Sequence, residues 1–257
     1  MRNTIKTLIL ALMLQTTCIT PLSAQTDDND SALESYNRAM FTFNTAADNF
    51  VIKPIAKGYR AVTTEFIRER VHDFYANLKE PVSMVNHTLQ GNFAASGKSI
   101  GRFVINSTLG LLGTFDVASG WGLPNNKTDF DHTLAAWCVP DGPFFILPLI
   151  GPSTPRATTG MIADTFATPA YWADYYASFG HDWERYSIYY GITALGFISL
   201  REEKLEFMDN LTANSVDPYS TIKSAYIQNR LKIGVCRNSN ANTEAGYDFD
   251  FDDMDDE

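Results

Sequence analysis

The chain has 257 residues and a formal net charge of −10, with 45% hydrophobic and 13% aromatic residues. That length allows one or two domains with a sizeable core, and that composition excludes a disordered protein. The acidic balance argues against nucleic acid as a partner.

Residues 1–24 read as a secretory signal peptide. Arg2 and Lys6 supply a positive start, Ile5 to Leu14 an apolar core, and Leu22-Ser23-Ala24 a small-residue cleavage site before Gln25. The apolar core is too short to span a membrane. Cys18 raises the alternative of an acylated lipoprotein, but Gln15 and Thr17 fit a lipobox poorly. The expected organisation is a signal peptide at 1–24, a helical domain at 25–235 and an acidic disordered tail at 236–257.

Ser31 with Glu34 forms a capping box that opens a helix. Leu33, Tyr36, Met40, Phe43, Ala47 and Phe50 then recur at three- and four-residue steps, an apolar stripe expected to face inward. Lys53-Pro54 ends or kinks that helix. A second helix is expected to run to about Glu80, with Phe66, Phe74 and Leu78 inward. Pro81 is expected to open a third, which stops at Gln90-Gly91. Ala94 to Leu112 is apolar around its whole circumference, with Gly97 and Gly101 forming a small face that invites close helix approach. Tyr186 to Leu200 repeats that pattern. Both are shorter than a spanning helix needs, so each is buried or lies in one leaflet of a membrane.

Thr133 to Arg156 is the centre of the chain. Two apolar runs flank Pro140-Asp141-Gly142, which reads as the turn of a β-hairpin. Pro148 makes the second run an edge strand, and Gly151, Pro152 and Pro155 are expected to stop regular structure. Aromatic residues from Tyr171 to Tyr190 suit either a packed core or a membrane–water boundary. Asp217-Pro218 caps a last helix. The tail from Glu244 to Glu257 carries acids and no base.

The residues suggest neither a catalytic site nor a cofactor. His72, His87, His132 and His181 lack partners at metal-ligand spacing, so no metal is expected. Pro155 replaces the glycine that a nucleophile elbow around Ser153 would need. Cys138 and Cys236 remain after export, and a disulfide between them is chemically possible.

Several blocks together resemble the MlaA/VacJ family. They are Asn37-Arg38 through Phe43-Asn44; Asn77 through Pro81; Asn86 with Leu89-Gln90-Gly91; Arg102 through Asn106 to Gly110; Gly142-Pro143-Phe144 through Leu147-Pro148; Gly151-Pro152-Ser153 through Arg156; and Asp217-Pro218-Tyr219. The resemblance implies a mainly α fold: a ring of amphipathic and apolar helices with one short β-hairpin, embedded in the periplasmic leaflet of the outer membrane. It also implies a channel that removes mislocalised phospholipid from the outer leaflet and hands it to a soluble periplasmic lipid carrier, in association with a trimeric porin. Phe43 and Asn44 would act in the channel or its gating. The competing reading is an adaptor that binds porins without moving lipid.

Overall fold

The computed structural model describes residues 26–172, 187–233 and 236, and the chain divides into two units, Met1–Tyr36 and Asn37–Glu257. In the first unit the described part is the opening of helix α1 (Thr26–Ala47), where Ser35 Oγ donates to the Ser31 carbonyl at 2.9 Å. Ser31 therefore lies inside the helix and does not start it. A capping-box pattern marks a permitted start, and here the chain coils five residues earlier. The expected signal peptide at 1–24 and the expected tail beyond Cys236 lie outside the described residues.

The second unit continues α1 through a π-helical turn (Asp48–Ile52) into α2 (Lys53–Val62). There follow α3 (Glu65–Leu89), α4 (Phe93–Thr108), α5 (Val117–Gly120) and α6 (Phe130–Ala136). Strands β1 (Phe145–Leu147) and β2 (Gly151–Ser153) precede α7 (Pro155–Ala167), α8 (Ser187–Glu203), α9 (Leu205–Asn214) and α10 (Pro218–Ile233). The described chain is mainly α with one two-stranded antiparallel hairpin.

Side-chain caps set several helix starts. Thr64 accepts from the Ile67 amide, Asn92 from Ala95, Asp129 from His132 and Thr154 from Ala157. Gly91, at φ 78°, ends α3 in the left-handed conformation that glycine takes without strain. Pro54 falls in the first turn of α2, where its missing amide is harmless. Pro81 does not open a helix. It sits inside α3, whose flanking residues Asn77, Glu80, Val82 and Ser83 are all buried and clamp the chain through the missing hydrogen bond.

The hairpin is displaced from its expected place. Thr133 to Ala136 is the end of α6, and the turn spans 148–150, not 140–142. Phe145 pairs with Ser153, Ile146 with Pro152, and Leu147 with Gly151. In an antiparallel ladder hydrogen-bonded and open pairs alternate. The Ile146 amide donates outward to Asn37 Oδ1 at 2.8 Å, so Ile146–Pro152 is an open pair and the proline gives up no ladder bond. Gly151 and Pro152, expected to break structure, instead form the second strand.

Burial inverts the usual order. Among the described residues seventeen buried residues are polar or charged against ten hydrophobic, and five of those ten are alanine. Half of the α1 stripe faces outward: Phe43 is 49% exposed and Phe50 83%, Tyr36 is exposed too, and Leu33, Met40 and Ala47 are half-buried, while Asn37 is buried. Phe66 is also exposed. On α4 the buried residues are Ala95, Ser96, Ser99, Arg102 and Asn106, and Phe93, Ile100 and Val104 point out. Periodicity located the α1 stripe but not its direction, and α4, expected to be apolar around its whole circumference, has a buried polar face. Among the described residues Gly97 meets nothing within 4 Å and Gly101 touches only Leu123, so none of the described helices packs on that small face. Gly196 of α8 does serve close approach, since an added Cβ would stand 2.6 Å from the Tyr75 ring. Among the described residues no helix is long and apolar enough to cross a membrane.

Cys138 and Cys236 are joined by a disulfide across 98 residues of sequence. The backbone amide of Cys236 also donates to the Ala135 carbonyl at 3.0 Å, seating the end of the described chain against α6.

Candidate functional site: a charged cavity beside the hairpin

Two asparagines seven residues apart stand on one face of α1. Asn37 Nδ2 donates to the Phe144 carbonyl at 3.3 Å, besides accepting from Ile146. Asn44 Nδ2 donates to the Leu147 carbonyl at 2.9 Å, and its Oδ1 accepts from the Leu149 amide at 2.7 Å. Each carboxamide thus supplies a donor and an acceptor, as a neighbouring strand would, and covers one edge of the hairpin.

The docked hairpin walls a cavity of about 820 Å³. Its apolar lining includes Phe41 of α1, Ile146 and Leu149 of the hairpin, Phe197 and Leu200 of α8, and Met208 of α9. Into it project Asp48, Lys53, Arg201, Lys204 and Asp209. Arg201 grips Asp48 with two bonds, Nε to Oδ1 and Nη2 to Oδ2, both at 2.7 Å. That bond to Asp48 outweighs burial and holds the guanidinium above its ordinary pKa. Arg201 Nη1 is buried without a partner among the described residues. Lys53 Nζ meets Asp209 Oδ1 at 2.5 Å. The π-helical turn inserts one extra residue per turn at Asp48, which swings the carboxylate to face α8. Nothing in the sequence pattern marked these five residues; Lys53 drew notice only as the residue before a proline.

Elsewhere the interior is ionic. Arg102, 2% exposed, donates to Glu80, to Ser119 Oγ at 2.9 Å and to Asp116 at 3.1 Å. Burial pushes the Glu80 carboxyl up, against the pull of Arg102. Asp131 accepts from Arg156 at 2.8 Å and from Arg230, and Asp141 accepts from Arg230 and from Thr154. Asp164 accepts from Asn86 at 2.9 Å and from the Phe130 amide, yet burial pushes its carboxyl up to about 6. Lys79 keeps exposed area, but its ammonium is held below the ordinary lysine range, first by desolvation and then by Lys127. Asp129, Asp131 and His132 bring one ligand atom each within 4.8 Å. Asp131 is committed to two arginines, and Asp129 to His132 Nδ1 at 2.6 Å, so the three serve ion pairs.

The motif residues fall mostly at joints between elements. Arg38 reaches Asp217, which caps α10 through the Ser220 amide just before Pro218. Asn77 bonds Ser107 and lies against Gly113; Asn106 bonds Asp116 and the Ala118 amide. Asn86 accepts from Thr133 besides donating to Asp164, and Ser153 pairs with Thr158. Gly142, at φ 80°, lies against Pro155, Pro148 opens the hairpin turn and Gly151 follows it. Of Phe43 and Asn44, only Asn44 lines the cavity; Phe43 points outward. Trp172 packs edge-on against Tyr171. Tyr175, Tyr176, Phe179, Trp183 and Tyr186 lie outside the described residues.

A family model described as MlaA lipoprotein matches residues 29–232. An intermembrane phospholipid transport system lipoprotein of Haemophilus influenzae is 31% identical over 231 residues, 88% of each chain. The Escherichia coli protein of the same description is 32% identical over 228 residues, 85% of each. An uncharacterised protein of Rickettsia typhi is 38% identical over 197 residues, 77% of this chain and 75% of that one. A solved structure described as "Structural basis for maintenance of bacterial outer membrane lipid asymmetry" aligns at a TM-score of 0.65 and 33% identity, covering 78% of this chain and 97% of its own.

Proposed function

The chain belongs to the MlaA lipoprotein family, and from that membership we propose that it is an outer-membrane phospholipid channel. It takes mislocalised phospholipid from the outer leaflet and passes it to a soluble periplasmic carrier, beside a trimeric porin. Lipid movement needs no bond chemistry, so the protein acts by binding and release and not as an enzyme.

The inverted burial carries this reading. A surface that presents Phe93, Ile100, Val104, Leu111 and Leu112, four of them at least half exposed, is unfavourable in water. Covered by acyl chains, a few hundred Å² of it is worth several kcal/mol at ~25 cal/mol per Å². Helix α4 would be about 24 Å long, less than the ~30 Å hydrocarbon thickness, which suits one leaflet. Lys79 gives the complementary sign inside. A lysine that keeps exposed area yet is desolvated by surrounding protein suits a polar passage more than an outer face. A ring arrangement and a lumen for headgroups follow from this reading.

Export is part of the proposal: residues 1–24 are removed, and the mature chain starts at Gln25. Intact-mass measurement separates this from an acylated start at Cys18. The function is tested by extracting the purified protein and analysing its lipid. Retained phospholipid that transfers to acceptor vesicles supports the channel. A protein that arrives in the membrane fraction with no lipid and moves none is the adaptor.

A further inference from the structure

We propose that the cavity beside the hairpin is a headgroup site selective for zwitterionic phospholipid, one bearing both a phosphate and an ammonium. This rests on the lipid-transport reading above and adds to it a chemical preference.

The argument starts from the way charge is placed. The walls are mostly apolar, with the neutral polar side chains of Asn44, Thr45, Asn49 and Thr212 and five ionisable groups, three cations and two carboxylates. Two of the cations are locked to the two carboxylates, Arg201 to Asp48 and Lys53 to Asp209, and Lys204 reaches Glu203 at 3.3 Å. Both locked pairs bridge the segment around the π-helical turn to α8 and α9, so they line one cavity from opposite sides. A half-buried ion pair against apolar walls resists losing either partner alone, because the charge left behind is poorly solvated.

A ligand with a single charge breaks this balance. A phosphate without a cation, as in an anionic glycerol headgroup, draws Arg201 and Lys53 towards itself and leaves Asp48 and Asp209 short of a partner. A zwitterion exchanges both halves together. Its phosphate takes the cations, and its ammonium takes the carboxylates, at no net charge change. Arg201 adds a reason for the phosphate: with Nε and Nη2 on Asp48, its Nη1 has no acceptor among the described residues. A phosphate oxygen brings the acceptor that group lacks. The apolar walls then receive the upper acyl chains, and a volume of about 820 Å³ holds a headgroup with the start of its tails but not a whole lipid.

The test uses the full chain purified in detergent and equilibrated with equal amounts of phosphatidylethanolamine and phosphatidylglycerol, with retained lipid read by native mass spectrometry. The expected result is about five-fold enrichment of phosphatidylethanolamine, the size of one partly buried ion-pair contact. Asp209→Asn should bring the ratio close to one while total retained lipid stays the same. Asp48→Asn should act likewise. Should that variant fail to fold, Asp209→Asn decides alone, because its carboxylate is 41% exposed and its loss is tolerable. Lys53→Gln should lower retention of both lipids. Equal retention by the unaltered protein overturns the selectivity and leaves transport standing. Enrichment that survives Asp209→Asn and Asp48→Asn overturns the assignment to this cavity. No retained lipid of either kind overturns the transport reading itself.

Discussion

Replacing Asn44 by alanine should undock the hairpin from α1. The substitution removes two hydrogen bonds, Nδ2 to the Leu147 carbonyl at 2.9 Å and the Leu149 amide to Oδ1 at 2.7 Å. Each is worth about 1 kcal/mol, so docking weakens by about 2 kcal/mol, or about thirty-fold in the equilibrium. The strands are three residues each and the turn carries Leu149 at φ 63°, so the hairpin depends on its contacts with α1, the two bonds of Asn44 and the two of Asn37. Hydrogen exchange reads this directly. The informative amide is Ile146, which bonds Asn37 and not Asn44. It should exchange about thirty-fold faster in Asn44→Ala, because the hairpin leaves as a unit. Asn44→Asp keeps the acceptor for Leu149 and loses the donor, so it should give roughly a five-fold effect. Unchanged exchange at Ile146 in Asn44→Ala would show that the hairpin stands without α1, and the docking argument would fail.

Arg102→Met should be far more damaging. It strands the buried Glu80 carboxylate, which costs about 3–5 kcal/mol, or roughly 6–20 °C in melting temperature for a domain of this size. Burial already raises the Glu80 carboxyl, so protonation relieves the variant, and its deficit should shrink as pH falls from 7 towards 5; a deficit that grows on acidification contradicts this. Asp164 has a folded pKa of about 6, above its unfolded value, so its contribution favours folding at low pH and is lost as pH rises from about 4 through 6. Asp164→Asn should flatten that part of the stability curve, read by denaturant midpoints at pH 4.5 and 7. Cys138→Ser with Cys236→Ser opens a loop of 98 residues and should lower stability by about 4.7 kcal/mol on the chain-entropy model; a melting temperature within a degree of the parent would refute the role of that loop.

Much of the fold was legible because helix ends are local. Gln90-Gly91 and Asp217-Pro218 mark boundaries through chain geometry alone, and the structure has boundaries there. Pro81 misled because its effect depends on tertiary clamping by Asn77 and Glu80, which no local rule contains. The hairpin moved because Pro140-Asp141-Gly142 is good turn chemistry in a place where Asp141 is held by Arg230 and Thr154, 89 and 13 positions away. On α1 part of the stripe expected to face inward points out, since a 3.6-residue period is the same whichever side the apolar face meets, and α4, expected to be apolar all round, has a buried face of Ser96, Ser99, Arg102 and Asn106. The cavity charges were missed for a related reason. Asp48, Arg201 and Asp209 are single ionisable residues scattered over 162 positions, and only folding through the π-helical turn brings them together. The family blocks pointed instead at joints such as Arg102 and Asn106.

The central claim is that this chain clears phospholipid from the outer leaflet. It is tested most directly by deleting the gene and labelling surface-accessible aminophospholipid on intact cells with a membrane-impermeant amine reagent. The account predicts a clear rise on deletion, restored to the parental level by the full chain and not by Asn44→Ala. Unchanged labelling in the deletion strain, with porin and envelope levels normal, would contradict it.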